Sequence, residues 1–222
     1  MADSTQEYDG PRVLLVEGVT DFHVVKHLRN AYKMPEETFG PYQCGNDEKV
    51  LARAGALIIG AVRPEVIGIM LDADKPEGNP SVGARWDSLK GKLEPHGYVF
   101  PDQPDASGTI LPRVPGKPLV GIWLMPDNRE PGMLEDFLLG MAPQAGVETA
   151  EKCIAIAKDE GVTSFKDVQY SKARIHTYLA WQDEPGRPLG LSITCRVLQP
   201  GTESARAFAD WLARLFGVPA AL

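Results

Sequence analysis

Cysteine and long apolar segments are both scarce in this sequence. The chain of 222 residues has three cysteines, Cys44, Cys153 and Cys195, which are widely separated. An odd number of scattered cysteines argues against a disulfide framework or a zinc site and is typical of reduced thiols in the cytoplasm. No apolar run approaches the ~20 residues of a membrane-spanning helix, and the polar, acidic N-terminus is unlike a secretory signal peptide. We therefore expect a cytoplasmic protein with no membrane partner.

The sequence also lacks an excess of positive charge and a nucleotide-binding P-loop. Its net charge is −7, which disfavours a protein that coats nucleic acid by electrostatics alone. A metal-dependent nuclease is not excluded, because the carboxylates that hold a cation add negative charge while the cation supplies the local positive field. The motif Gly-x-x-x-x-Gly-Lys is absent, so we expect no ATPase activity in this chain.

A series of apolar runs, separated by helical patterns, is present instead. Hydrophobic residues make up 43% of the chain, which is ordinary for a globular protein. Residues 12–17 and 66–71 are apolar without the alternation of a half-exposed strand, which predicts buried parallel strands. Between them, helical spacing over 22–32 and 46–61 encloses a short strand around 42–44. This order predicts an α/β fold with a mainly parallel central sheet.

The second half of the chain first continues this pattern and then becomes helical. A third apolar strand is predicted at 118–125, after a segment rich in proline and glycine that includes a short strand from 109 to 114. Further helices are predicted at 82–93, 132–139, 147–160, 172–182 and 205–216, with a loop at 185–190. We predict one domain over residues 1–222, with its core at about 12–140 and a helical elaboration at about 141–222.

Three acidic residues stand at the ends of two predicted strands. Glu17 ends the first strand and is followed by Gly18, while Asp72 and Asp74 end the second. Because the carboxyl ends of neighbouring parallel strands face one crevice, we expect the three carboxylates to converge there. Such carboxylates repel one another unless a divalent cation lies among them, and oxygen ligands indicate Mg²⁺ or Mn²⁺. This is the chemistry of phosphoryl transfer on nucleic acids.

The same acids also have local interpretations, which remain open at this point. Asp72 and Asp74 could cap the loop after their strand. Thr20 or Asp21 could be the N-cap of the first helix. For Asp21, this interpretation has the same weight as a role as metal ligand.

The paired acidic motifs resemble the Toprim domain. Leu15-Val-Glu17-Gly18-x-x-Asp21, followed after a helix, a strand and a helix by Leu71-Asp72-Ala-Asp74, resembles that superfamily over roughly residues 12–100. The superfamily includes topoisomerases, bacterial primases, recombination proteins and OLD-type nucleases. The resemblance implies a three-layer, Rossmann-like domain in which Glu17 is a general acid/base or metal ligand and Asp72 and Asp74 bind metal. The form Glu-Gly-x-Thr-Asp is similar to OLD-type nucleases, which implies that Asp21 is also a ligand.

The second half resembles a small bacterial Toprim family through its segments 121–128, 132–137 and 172–180. In OLD-like enzymes an acid and a lysine complete the site, and the nearest candidates here are Glu135, Asp136 and Lys172. Both acids could instead favour the start of a helix, where negative charge complements the macrodipole. Lys172 lies near a helix start, where a cation is unfavourable, so a functional role gains weight. Asp127 either shares the crevice or belongs to a turn.

These features predict a Mg²⁺- or Mn²⁺-dependent nuclease acting on DNA or RNA. The resemblance implies that Glu17 is a ligand and proton shuttle and that Lys172 stabilises the transition state. It also implies a separate ATPase partner, as in bacterial phage-defence modules, and a homodimer is compatible with it. The alternative is a non-catalytic regulatory or scaffold protein of the same fold that binds metal or nucleotide. A primase-like nucleotidyl transferase ranks third, because no zinc-binding or basic template-binding module is present.

Overall fold

The protein contains a five-stranded mixed sheet with helices on both faces. The computed structural model describes residues 10–73 and 81–222. The strands are β1 (Arg12–Val16), β2 (Gly40–Gln43), β3 (Val66–Asp72), β4 (Thr109–Ile110) and β5 (Leu119–Met125). The helices are α1 (Val19–Ala31), α2 (Asp47–Ile59), α3 (Val82–Leu93), α4 (Leu134–Leu139), α5 (Gln144–Asp159), α6 (Tyr170–Leu179), α7 (Leu189–Thr194) and α8 (Glu203–Phe216).

The strand order within the described ranges is β2-β1-β3-β5-β4. All neighbouring pairs are parallel except β4 and β5, so the one antiparallel strand lies at an edge. The three central strands are almost entirely buried, as strands covered on both faces must be. The prediction of an α/β fold with a mainly parallel sheet is confirmed, and the arrangement is Rossmann-like.

Alternate residues of each central strand enter two separate cores. On β1, Val13 and Leu15 pack on one side and Leu14 and Val16 on the other, following the two-residue period of a strand. The first core is closed by α2 and α3, through Val50, Ala54, Ile58, Trp86, Leu89 and Leu93. The second core is closed by α1 and by helices from the second half of the chain, including α4 and α8.

Helix α8 packs directly on the central strands, although it lies in the segment predicted as an elaboration. Gly68 and Gly121 are opposite each other on β3 and β5. A Cβ atom at Gly68 would lie 2.6 Å from Leu14 Cδ1, and one at Gly121 would lie 2.6 Å from Leu215 Cδ2. At Gly121, the approach of α8 therefore favours glycine. At Gly68 the shortest contact is with the neighbouring strand β1, and Phe216 and Leu215 of α8 would lie 3.2 and 3.3 Å from the added Cβ atom, so the strand and the helix together favour glycine there.

Two local predictions were wrong. Helix α1 begins at Val19 with Gly18 as its N-cap, so neither Thr20 nor Asp21 is the cap. Asp21 instead lies in the first turn and reaches back to the N–H of Gly18, as acids at this position commonly do. The predicted loop at 185–190 ends earlier than expected, because α7 starts after Pro188 and packs closely against α1.

None of the helices in the described ranges is long and apolar enough to cross a membrane.

Candidate active site

Glu17 and Asp72 are connected across the carboxyl ends of β1 and β3. Glu17 is the first residue after β1, and Asp72 is the last residue of β3. Oε1 of Glu17 accepts a hydrogen bond of 2.9 Å from the backbone N–H of Asp72. The carbonyl of Glu17 accepts another, of 2.7 Å, from the N–H of Gly45 beyond β2. Glu17 is therefore fixed from both neighbouring strands, by its side chain on one side and its main chain on the other.

The carboxylate of Asp72 reaches the start of α4. Its Oδ1 accepts a hydrogen bond of 2.9 Å from the N–H of Leu134, the first residue of that helix. Asp72 also lies opposite Met125, the last residue of β5, so the chain that leaves β5 returns to the same edge of the sheet. Glu17, Asp72 and the start of α4 thus form one hydrogen-bonded series.

Arg85, which no sequence motif indicated, holds the end of β3 from the opposite side. Its Nε donates to the carbonyl of Asp72 at 3.1 Å, and its Nη1 donates to Oδ2 of Asp47 at 2.6 Å, at the start of α2. Burial alone would raise the pKa of Asp47, but the hydrogen bond and charge of Arg85, with backbone N–H donors, hold that pKa below its ordinary value. A cation near the start of a helix is unfavourable to the dipole, and that signal could have indicated Arg85.

Asp21 lies one helical turn after Glu17, next to two residues from the second half of the chain. Its Oδ2 accepts a hydrogen bond of 3.1 Å from the N–H of Gly18. Burial raises the pKa of Asp21 to about 6, although its backbone hydrogen bonds lower it, and the charge of Glu135 raises it further while that of Lys172 lowers it. The carboxyl group therefore titrates close to neutral pH, in an environment shared with Glu135 and Lys172.

Glu135 and Lys172 form an ion pair between α4 and α6. The Nζ of Lys172 lies 3.7 Å from Oε1 of Glu135, whose side chain is 8% exposed, while that of Lys172 is 52% exposed. A buried carboxylate requires a compensating charge, and Lys172 supplies it. Because the Lys172 side chain is half exposed, it is accessible to an anionic substrate from solvent.

Asp136 has a positioning role beside this pair. Its Oδ2 accepts a hydrogen bond from the N–H of Met133 at 3.0 Å, and its Oδ1 accepts one from Oγ of Ser171 at 2.5 Å. The first bond closes the start of α4, in line with the local interpretation. The second attaches α4 to the residue that precedes Lys172, so Asp136 helps to fix where Lys172 stands.

Asp127 forms the turn that follows β5. Its Oδ1 accepts hydrogen bonds from the N–H groups of Arg129 and Glu130, at 2.9 and 2.8 Å. Among the described residues, Asp127 makes no hydrogen bond to any other predicted site residue. Its contacts are those of the turn interpretation.

Asp74, the remaining predicted ligand, lies outside the described residues. Within residues 10–73 and 81–222, no group of three or more His, Cys, Asp or Glu side chains is arranged so that it could hold a metal ion. The carboxylates of Glu17, Asp72, Asp21 and Glu135 are nevertheless hard oxygen donors, the type that Mg²⁺ and Mn²⁺ prefer. The chemistry of this donor set fits such a cation.

The arrangement joins a set of oxygen donors to a proton-exchanging acid and a cation. Glu17 and Asp72 supply oxygen donors at the edge of the sheet. Leu134 bonds Asp72, and the next residue, Glu135, interacts with both Asp21 and Lys172. A carboxyl group that titrates near neutral pH suits general acid–base work, and an ammonium group suits the stabilisation of a growing negative charge.

Comparison with known proteins identifies the family. Residues 11–217 match a family described as Protein of unknown function (DUF3226). The chain belongs to the DUF3226 family. No curated protein and no solved structure matches it. The DUF3226 description assigns no activity, so an inference about function has to rest on the geometry of the site.

Proposed function

We propose that this DUF3226 chain is a Mg²⁺- or Mn²⁺-dependent nuclease with a Toprim-type site that hydrolyses nucleic-acid phosphodiester bonds. The observation that carries the proposal is the hydrogen-bonded series from Glu17 through Asp72 to Leu134. An aspartate that only capped its own loop would bond an N–H group a few residues ahead. The carboxylate of Asp72 bonds a group 62 residues away, on the helix that carries Glu135, so its role extends beyond its own loop.

Each residue then has a defined role. Glu17, Asp72 and Asp74 hold the cation, with Glu17 also acting as proton shuttle and Asp21 and Glu135 as further ligands. When bound, the cation polarises the phosphoryl oxygens and lowers the pKa of a water molecule. Burial raises the pKa of Asp21 to about 6 in the absence of a cation, and a bound cation would lower that pKa, so that Asp21 can serve as an ionised ligand at neutral pH.

The reaction also requires stabilisation of the transition state. The ammonium group of Lys172 faces the charge that develops on the phosphoryl oxygens, and Glu135 and Asp136 keep it in place through their contacts with α6. Such a preoriented charge acts without reorganisation during the reaction.

The partners in this proposal are nucleic acid and a separate ATPase. OLD-type nucleases commonly act beside an ATPase, and this sequence contains no P-loop. We therefore place the chain in a two-component system of the phage-defence kind, an assignment made by analogy of fold and motif. A second copy of the chain is a further candidate partner.

A non-catalytic scaffold is the second candidate function, and one specific observation favours it. Backbone N–H groups donate hydrogen bonds to carboxylate oxygens of Glu17 and Asp72, so both acids already stabilise the fold, and no metal-holding group of three side chains occurs in the described ranges. A protein that uses these bonds only to fix its fold would look the same in these residues.

A cleavage assay separates the two functions. Plasmid, linear DNA and RNA are incubated with the protein in Mg²⁺, in Mn²⁺ and in EDTA. We expect cleavage of at least one substrate with metal, none in EDTA, and none by Asp72→Asn, while Asp159→Asn at the exposed end of α5 keeps full activity as a matched control. Cleavage that survives EDTA or Asp72→Asn would reject the proposed site, and metal binding without cleavage of any substrate would favour the scaffold.

A further inference from the structure

A basic pocket lies at the amino ends of the strands, on the edge of the sheet opposite the acids. Its volume is about 480 Å³, and it opens where β1, β3 and β5 begin. Four cationic side chains line it, together with one acid: Arg12, Arg113, Lys117, Arg214 and Glu65. We call it the amino-edge pocket. Its excess of positive charge contrasts with the net charge of −7 of the whole chain.

The one acid in the pocket compensates little of this charge. Nε of Arg12 lies 4.0 Å from Oε2 of Glu65, and the Glu65 side chain is 70% exposed. An exposed pair at that distance is worth little. Arg12 is held mainly by a hydrogen bond of 3.2 Å from its Nη1 to the carbonyl of Phe216 at the end of α8.

Two other cations of the pocket are held by neutral backbone groups. Lys117 donates to the carbonyl of His96, and Arg214 donates to the carbonyl of Ser107. Carbonyl groups satisfy these donors and fix the side chains, but they carry no net charge. The hydrogen bonds of Ser107, together with the charge of Arg214, lower the pKa of Asp105, so Arg214 has one acid in its neighbourhood. Within the described residues, neither Lys117 nor Arg214 forms an ion pair, and both side chains are fixed mainly by neutral groups.

Arg113 is the most informative member of the set. It is exposed on the segment after β4, and it takes part in no hydrogen bond or ion pair within the part of the chain that the structure describes. Arg12 and Arg214 lie at the end of α8, where a cation complements the helix dipole. That explanation does not extend to Arg113, which comes from another segment and only adds repulsion between like charges.

We propose that the amino-edge pocket binds a phosphate group, carried by a nucleotide or by a nucleic-acid strand, at a site separate from the carboxylates. Guanidinium groups from β1, from the segment after β4 and from α8 meet at one concavity, and their planar forks match phosphate oxygens. The volume lies in the range of small-ligand sites. The acidic surface of a protein partner is a less suitable ligand, because the cations line a depression and a flat surface could contact only a few of them.

The last two residues of the sequence do not occupy the amino-edge pocket. The carbonyl oxygen of Leu222 lies 3.5 Å from Nζ of Lys33, and the N–H of Ala221 donates to the carbonyl of Tyr32 at 3.1 Å. Residues 221 and 222 therefore lie at the end of α1 and not in the amino-edge pocket.

Binding to this pocket can be measured without any cleavage. The probe is a fluorescein-labelled 12-nucleotide oligothymidylate, followed by anisotropy in metal-free buffer with the Asp72→Asn protein. With about three phosphate contacts on a single strand, affinity should fall about 20-fold between 50 and 200 mM salt. Arg113→Gln should weaken binding about three- to tenfold and lower the salt slope by about 0.7. Lys152→Gln, which removes an exposed charge from α5, should change neither.

Competitors identify the source of the phosphate. Displacement by thymidine monophosphate at low concentration assigns the pocket to a free nucleotide, and displacement only by unlabelled oligonucleotide assigns it to a strand. Equal effects of Arg113→Gln and Lys152→Gln would overturn the proposal, because binding would then follow overall charge. Displacement by polyglutamate but not by nucleotides or oligonucleotides would overturn it in favour of an acidic protein. Since the nuclease site is disabled in this experiment, its outcome does not depend on the proposed function.

Discussion

The two edges of the central sheet are opposite in charge and differ in how firmly their side chains are held. At the carboxyl edge, Glu17 and Asp72 are joined by bonds that link β1, β3 and α4, and a buried acid and a lysine lie next to them. At the amino edge, three cations are held only by neutral carbonyl groups, and Arg113 makes no hydrogen bond or ion pair with any described residue. Groups that perform chemistry need fixed positions, whereas groups that attract a ligand can act from a mobile side chain. We therefore expect changes at the carboxyl edge to affect catalysis and changes at the amino edge to affect affinity.

The ion pair of Glu135 and Lys172 provides the sharpest test of this contrast. Lys172→Met should lower the cleavage rate by about 10²–10³, because a preoriented charge at a transition state is lost, while Mn²⁺ binding is retained. The variant also leaves Glu135 buried without its partner, which destabilises the fold. Steady-state cleavage rates and thermal unfolding, measured together, separate these two effects.

The double variant Glu135→Gln with Lys172→Met is the control for stability. It removes both charges, so it should recover much of the stability that Lys172→Met loses, and it should remain inactive. Recovery of activity along with stability would show that Lys172 serves only the fold.

Arg85 is expected to act through Asp72 and not on the substrate. Arg85→Gln removes the hydrogen bond to the carbonyl of Asp72, and outer-shell contacts of this kind typically change metal affinity 10- to 100-fold. We expect a loss in that range by Mn²⁺ titration. Asp47→Asn is the matched control, because it weakens the contact of Arg85 with α2 and leaves the bond to Asp72. An equal loss in both variants would assign Arg85 to general stability.

The smallest of the expected changes is one of stability: Asp21→Asn should alter the stability of the metal-free protein in a way that depends on pH. The pKa of Asp21 is raised from 3.8 to about 6 in the folded protein, so the folded state binds more protons than the unfolded state between these values. Stability contributed by the protonated form is therefore lost as the pH rises through this window. Such a rise in pKa corresponds to about 3 kcal/mol of stability that is lost at pH 7.5. Asp21→Asn should regain on the order of 1–2 kcal/mol of it, since the removal of the charge is partly offset by a weaker hydrogen bond from the N–H of Gly18 to Asn.

This gain should vanish near pH 4, where the Asp21 carboxyl is protonated in the folded protein. Urea unfolding of the metal-free protein at both pH values measures it, with Asp159→Asn as a control on an exposed acid. A gain that is equal at pH 4 and pH 7.5 would mean that burial does not disfavour the Asp21 charge.

The sheet was predictable from the sequence because its central strands are buried on both faces. Continuous apolar runs such as 66–71 indicate strands that are buried on both faces. Glu17 and Asp72 are placed at strand ends because those runs stop there. The prediction of a parallel α/β arrangement needed only the alternation of strands and helices. The Toprim assignment itself rests on the resemblance and stays a prediction.

Contacts between distant segments were not predictable in the same way. Two examples are the hydrogen bond from Leu134 to Asp72 and the hydrogen bonds of Arg85. Both depend on how the helices pack on the sheet, and no local sequence pattern predicts that packing. The role of α8 depends on two glycines that face each other across β3 and β5, and a single glycine in a strand does not reveal its partner. The first turn of α1 was misplaced because Thr20 and Asp21 are both good caps, while the actual cap, Gly18, gives a weaker signal.

The claim at the centre of this account is that the carboxyl edge of the sheet holds a divalent cation. Calorimetric titration with Mn²⁺ of the unaltered protein and of the double variant Asp72→Asn with Asp74→Asn tests it directly. We predict saturable binding by the unaltered protein and none by the variant. The variant should stay folded and match or exceed the metal-free thermal stability of the unaltered protein, because repulsion between carboxylates is relieved. Unchanged Mn²⁺ affinity in the folded double variant would contradict the account.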